Sequence, residues 1–123
     1  MKKRTGVYVN AEKHSATPRT IKAELQAYYD LLDVETIDIV TRKIGGKYYD
    51  IICDDEALLK NNPIPSMIGP HCDIMLFGNL FIALHDGEGN EISLTKDDVN
   101  RIMKCYRPIL TRDGIQNFMV GDY

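Results

Sequence analysis

The side chains able to do chemistry fall into a few groups along this 123-residue chain. Carboxylates gather at Asp50, Asp54, Asp55 and Glu56, and again at Asp86, Glu88 and Glu91. Two such groups at a suitable separation are what a hydrolase uses for acid–base work. The same residues are also the ordinary choice at turns and helix starts, where they bond nearby backbone N–H groups, and their positions favour that structural reading. His14, His71 and His85, with Cys53, Cys72 and Cys105, are potential soft-metal ligands. Their spacing fits no zinc pattern, because His71 and Cys72 are adjacent and the others stand alone. No metal, no cofactor and no catalytic set is expected.

A second group is cationic: Arg19, Lys22, Arg101, Lys104, Arg107 and Arg112. If these converge they make an anion pocket with bidentate guanidinium forks. Phe77, Phe81, Tyr106 and Phe118 would then offer a stacking surface for a base, and Asn79 and Asn90 would read hydroxyls or a base edge. The competing reading is solvated cations on exposed faces and aromatics in the core. Gly45-Gly46, flanked by Arg42, Lys43 and Lys47, lacks the spaced glycines and the Lys-Ser/Thr of a phosphate loop, and no helix follows it. It reads as a hairpin turn with a basic rim.

Bulk composition bounds what these groups can serve. The chain is 44% hydrophobic and 27% charged, with formal net charge -3. That argues against a general nucleic-acid binder, which needs a basic face, and it is too mild for a mimic of duplex DNA. The odd number of widely spaced cysteines predicts a reduced, cytosolic chain. No signal peptide and no membrane-spanning run is expected. The length predicts one domain over residues 1–123.

The elements that must position these groups predict an α+β fold: a mainly antiparallel sheet of hairpins with two amphipathic helices packed on it. Val7 and Val9 alternate with Gly6 and Tyr8 in a first strand at Thr5–Asn10. Thr17-Pro18 reads as a helix start, and Ile21, Leu25, Tyr28 and Leu32 recur as one apolar face of a helix over residues 18–32. Arg19, Thr20 and Lys22 would lie in its first turn, where cations oppose the helix dipole and an anionic partner would relieve the cost. Strands follow around Ile37–Thr41 and Lys47–Asp54, joined at Gly45-Gly46 by a primed turn that needs positive φ. A helical turn is expected within Asp54–Lys60, then an extended segment over Asn61-Asn62-Pro63-Ile64-Pro65.

The stretch from Asp73 to His85 is nearly all apolar and predicts one long central strand buried on both faces, by the core on one side and a helix or a second subunit on the other. A hairpin through Asp86–Asn90 leads to a short return strand. Thr95 and Asp98 form a capping box for a second helix, which buries Val99, Ile102, Met103 and Tyr106 and ends at Arg107-Pro108. Ile115, Phe118, Met119 and Val120 make the tail 107–123 too apolar to float free. It covers the core or serves as an oligomerisation arm.

From Thr20 to Cys105 the chain resembles a domain-of-unknown-function family found in phages, prophages and Firmicutes. The features that carry the resemblance are the Gly-Gly hairpin, the strand ending Ile-Ile-Cys-Asp-Asp, the Asn-Pro-Ile-Pro stretch, Phe-Gly-Asn-Leu-Phe, and above all Asp-Gly-Glu-Gly-Asn-Glu-Ile-Ser-Leu-Thr-Lys-Asp-Asp-Val. Size and layout are similar to those of the first described type of phage Thoeris anti-defence protein, a signal sponge within that neighbourhood. The resemblance implies a non-enzymatic, phage- or prophage-encoded protein of the host cytoplasm, a homodimer or higher oligomer. It would sequester a cyclic ADP-ribose isomer, and in some relatives cyclic oligonucleotides, without cleaving it. It implies a ligand on Phe81 and Asn90. Arg19, Thr20, Arg107 and Arg112 join them as pocket candidates on charge grounds. The alternative is a protein-interaction module that inhibits or adapts a host enzyme through an edge strand or through Ile115–Val120. An enzyme acting on nucleotides through the carboxylates ranks third.

Overall fold

Two sheets and two helices make up the computed structural model, which describes residues 2–59 and 63–123, the side chain of Leu58 excepted. The elements run β1 (Lys3–Asn10), β2 (Ser15–Lys22), α1 (Leu25–Leu32), β3 (Ile37–Ile44), β4 (Lys47–Asp54), β5 (Pro65–Ile68), β6 (Ile74–Phe77), β7 (Leu80–His85), β8 (Glu91–Ile92), α2 (Lys96–Lys104), β9 (Tyr106–Thr111) and β10 (Gly114–Val120), with a 3-10 turn at Ala57–Leu59. The first sheet has the order β2-β1-β7-β4-β3, with β8 added beside β7, and the second has the order β6-β5-β10-β9. Neighbours in the first sheet are antiparallel. In the second, β10 runs parallel to β5 through Met119↔Met67 and Val120↔Ile68. The expected α+β class, mainly antiparallel sheet with two helices, is what the chain forms.

The first sheet is the middle layer, and side chains alternating along its strands fill two cores. Val7, Val9, Tyr49, Ile51, Cys53, Leu80 and Ile82 point to one face, where they meet Met67 and Met119 of the second sheet and Ile102 of α2. Ile52, Phe81 and Ala83 point to the other, under Tyr28 and Leu32 of α1. Burying each large apolar side chain contributes about 1.5–3 kcal/mol, so both faces hold the sheet in place. Burial of β7 on both faces, expected from its apolar run, is therefore real, and a helix of the same chain supplies the second cover.

Several local expectations differ from the structure. Residues 15–22 form an edge strand, and the helix is only Leu25–Leu32, with Glu24 at its N-cap making no side-chain cap bond. Thr5 donates its N–H to Ser93 and its carbonyl accepts from Leu94, so odd-numbered residues of β1 face away from β2. Pro18 lies opposite Val7, and its missing N–H therefore falls on the open edge, where a strand tolerates proline. Ile21 fooled the helical count because it packs on the same cluster as Tyr28 and Leu32, but from a strand. Arg19, Thr20 and Lys22 consequently sit at no helix N-terminus, and the dipole argument for an anion there falls.

The long strand expected at Asp73–His85 is two strands in two sheets. The chain crosses between them at Gly78, whose φ of 79° is open to glycine at little cost. Residues 107–123 are not a tail: β9 and β10 pair along their length and place Phe118 and Met119 in the interior. Ile115 and Leu110, partners in that register, remain 73% and 81% exposed. Tyr106 belongs to β9 and not to the second helix. The Gly45-Gly46 turn has φ of 58° and 86°, as a primed hairpin requires, and the Thr95–Asp98 capping box forms as expected. The expected helical turn survives as the 3-10 turn; Lys60, Asn61 and Asn62 lie outside the described residues.

Candidate functional site

Helix α1 leaves part of the first sheet's outer face uncovered, and a groove of about 340 Å³ opens there, lined by Arg4, Ile39, Asp50, Ile52, His85, Gly89 and Glu91. Its floor is apolar. Ile39 of β3 pairs with Ile52 of β4 and points the same way. Ile52 is buried, whereas Ile39 is 56% exposed.

Charged groups rim this floor. His85 ends β7, directly opposite Glu91 of β8. Its Nδ1 meets Asp50 Oδ2 of β4 at 2.5 Å. A carboxylate on one imidazole nitrogen fixes the ring and leaves the other nitrogen to meet a ligand or a proton. Arg4 of β1 is buried and carries a charge that must be matched. Its Nη1 donates to the Tyr28 hydroxyl at 2.9 Å and its Nη2 to the Leu84 carbonyl at 2.5 Å, and it forms an ion pair with Glu91 at 3.3 Å. Its Nε is buried without a partner among the described residues. Burial pushes the Tyr28 pKa up, with the Arg4 bond opposing. Arg4 and Glu91 pair with each other, which leaves the Asp50 carboxylate and the His85 imidazole as the other polar pair of the groove.

The turn that shapes one wall is held by Asp86. Its carboxylate accepts from the backbone N–H of Glu88 and of Asn90, each at 2.9 Å, and from the Asn90 side chain at 3.2 Å. The bonds from Asn90, then that from Glu88, lower its pKa. The segment from Phe81 to Asn90 thus contributes a wall of the groove, but through His85 and Gly89.

The six nominated residues do not meet there. Phe81 is fully buried beneath Tyr28. Asn90 spends its amide on Asp86. Arg19 lies on β2 with its guanidinium 5.4 Å from the centre of the Tyr8 ring. Tyr8 is the β1 partner of Phe81 and so links it to Arg19. Thr20 shares a hydroxyl bond of 2.8 Å with Thr5. Arg107 and Arg112 belong to the second sheet, the latter in the β9–β10 turn. Arg107 donates to the Lys104 carbonyl at 3.2 Å.

Part of the cationic set does gather at the end of α2. Arg101 and Lys104 line a second groove of about 420 Å³ with Gly45, Asp97, Asn100 and Cys105. Arg101 is committed to Tyr49 at 3.1 Å and Asp98 at 3.2 Å, and cations in a last helical turn offset the dipole. A third recess, about 180 Å³, is lined by Glu12, Leu32, Asp33, Asp54 and Asn79 among others, with no cation among the described residues. Asn79 is structural, accepting from Ala11 N–H at 2.9 Å and donating to the Leu32 carbonyl at 3.1 Å. Among the described residues no three His, Cys, Asp or Glu side chains cluster as metal ligands would, and no helix is long and apolar enough to cross a membrane.

Sequence reasoning did not propose Arg4 or Ile39 as site residues. The only signal for Arg4 is a cation at an inward strand position, and for Ile39 a large apolar residue on an edge strand. His85 and Asp50 were visible singly, but they meet only because β4 and β7, far apart in the chain, are neighbours in the sheet.

A small α+β domain with an apolar-floored, charge-rimmed groove on one sheet face is the class that fold and site define. The chain matches the family model "Domain of unknown function (DUF3846)" over residues 2–107 and belongs to that family. No curated protein and no solved structure matches it.

Proposed function

We propose that the chain is a non-catalytic binding protein for a small nucleotide-type signal, held in the groove between Ile39, Ile52, His85 and Arg4. The carrying observation is that one groove offers an apolar floor with two carboxylates, an imidazole and a guanidinium around it. The first three match parts of a nucleotide. Ile39 and Ile52 suit the face of a base. Asp50 and Glu91, as paired-oxygen acceptors, suit ribose hydroxyls. The free nitrogen of His85 suits a phosphate oxygen, while Arg4, engaged with Tyr28, Leu84 and Glu91, holds the wall. The resemblance to phage Thoeris anti-defence proteins favours a cyclic ADP-ribose isomer as ligand and the host cytoplasm as setting. In that role a sponge needs capture without turnover.

A second reading has one observation in its favour. Asp50 orients His85 as carboxylates orient catalytic histidines, so hydrolysis of a bound nucleotide is the competing activity. One experiment separates the two. The protein is incubated with cyclic ADP-ribose isomers, freed of excess ligand, heated, and the supernatant analysed by mass spectrometry. Release of intact ligand supports the sponge; a hydrolysed product supports the enzyme; absence of capture removes both. In the sponge reading His85→Ala and Ile39→Asp weaken capture at least about tenfold, the loss of one hydrogen bond to a charged group or of a buried apolar contact.

A further inference from the structure

Among the described residues four strands form the edges of the two sheets, and three are blunted against pairing. β2 carries Pro18, β9 carries Pro108, and β6 has four residues. β3 has eight residues, no proline and an exposed Ile39. A long edge without proline is a template for another strand.

The backbone of β3 shows which groups face outward. The Lys43 carbonyl accepts from the N–H of Asp122 on the side away from β4, and the Asp38 carbonyl faces β4, where it accepts from the Cys53 thiol at 3.6 Å. Odd-numbered residues therefore present their N–H and carbonyl to the open edge. Two of these groups are covered by neighbouring side chains. The Ile39 N–H donates to the Asp38 carboxylate at 2.9 Å, and the Thr41 carbonyl accepts from Arg42 Nη1 at 2.9 Å.

We propose that β3 pairs antiparallel with β3 of a second copy, across a two-fold axis at Val40. Three observations fix the register. Ile39 and Thr41 are outward residues, so pairing Ile39 with Thr41 of the partner lets each pair exchange both backbone bonds. The same register sets Asp38 opposite Arg42 of the partner, and Arg42 opposite the partner's Asp38, on one face. Opposite charges directly across a ladder stabilise it. The side chains that cap the edge in the single chain are thus the ones that meet across the axis. Shifting the axis to residue 39 places Asp38 opposite Val40 of the partner; shifting it to 41 brings Ile39 against Lys43, whose carbonyl Asp122 already occupies. The Asp122 bridge limits the new ladder to Asp38–Arg42. The interface is isologous, as a two-fold demands, and joins two first sheets into one continuous sheet.

Pairing also completes the groove. Ile39 lines it and stands on its open β3 side, so Thr41 of the partner subunit comes to lie beside Ile39 and walls that side. The dimer stands whether or not the ligand reading does.

The test is sedimentation velocity on the full chain from 1 to 500 µM, a range chosen to bracket modest dimers. Dimer is expected in the wild type. Asp38→Arg and Arg42→Asp each weaken it about tenfold by facing like charges, and the double exchange restores it. Val40→Cys forms a symmetric disulfide on oxidation, since the two residues meet at a non-hydrogen-bonded position with closely spaced Cα atoms. A wild type that stays monomeric throughout overturns the proposal. So does a dimer indifferent to both single charge reversals, or a folded Val40→Cys chain that fails to cross-link.

Discussion

The hydroxyl of Tyr49 donates to the Asp98 carboxylate at 2.8 Å, both groups buried, and joins the middle of β4 to the first turn of α2. Asp98 is also the capping-box residue of that helix, accepting from the backbone N–H and the hydroxyl of Thr95 at 3.1 and 2.9 Å. Lys47 and Arg101 complete its shell at 2.9 and 3.2 Å. One carboxylate thus caps the helix and fastens it to the sheet.

Burial alone would raise the Asp98 pKa. The bonds from Lys47, Thr95 and Tyr49 overcome that and hold it well below the usual carboxylate range. A folded-state pKa below the unfolded value of about 3.9 stabilises the fold above that pH, and the contribution is lost as pH falls toward the folded value. Asp98→Asn is expected to lower stability at pH 7 by about 3 kcal/mol, the cost of breaking a buried pair. It should also flatten the acid limb below about pH 4. Urea unfolding midpoints measured from pH 2 to 7 check both; an unchanged acid limb would show that Asp98 carries no such linkage.

Burial likewise pushes Tyr49 and Tyr106 up to about 12, but the two differ in partners. Tyr49 is satisfied, whereas the Tyr106 hydroxyl is buried with none among the described residues. Tyr106→Phe is therefore expected to be neutral or to stabilise by about 1 kcal/mol, because it removes an uncompensated desolvation cost. Tyr49→Phe should destabilise by about 1–3 kcal/mol, leaving Asp98 one donor short. Chemical denaturation of the two variants side by side decides it, and a destabilised Tyr106→Phe would contradict the assignment.

The three cysteines should separate by reactivity. Cys72 is exposed, Cys105 half-buried with its pKa raised by burial, and Cys53 buried and pushed up to about 11, first by burial. The thiolate is the reactive form. With iodoacetamide at pH 8, peptide mass spectrometry is expected to find Cys72 labelled first, Cys105 more slowly, and Cys53 only in denaturant. Early labelling of Cys53 would place the inner face of β4 nearer solvent than it lies here.

Much of the fold was legible because strands alternate visibly and turns use particular residues. The Gly-Gly turn, the Thr95 cap and the two-sided burial of β7 all follow from short-range rules. The misreadings share a physical origin: local pattern does not say which layer a residue faces. Ile21 keeps helical register with Leu25 and Tyr28 while lying on a neighbouring strand. Phe77 and Leu80 are both apolar, so only Gly78 hints that the chain changes sheets between them. The groove was less legible still. His85, Asp50, Arg4 and Glu91 come from four strands, and topology, not spacing, assembles them.

The position of β10 has a consequence for synthesis. It lies between β5 and β9, and β5 has no other neighbour on that side. A ribosome must therefore release residues 114–120 before the second sheet can close. Until then Met67 and Ile68 wait without β10 beside them, and the place of Met119 on the inner face of the first sheet stays open to chaperones or to other nascent chains. Slow, long-range closure by a late parallel strand is the step at which this chain is most exposed to misassembly.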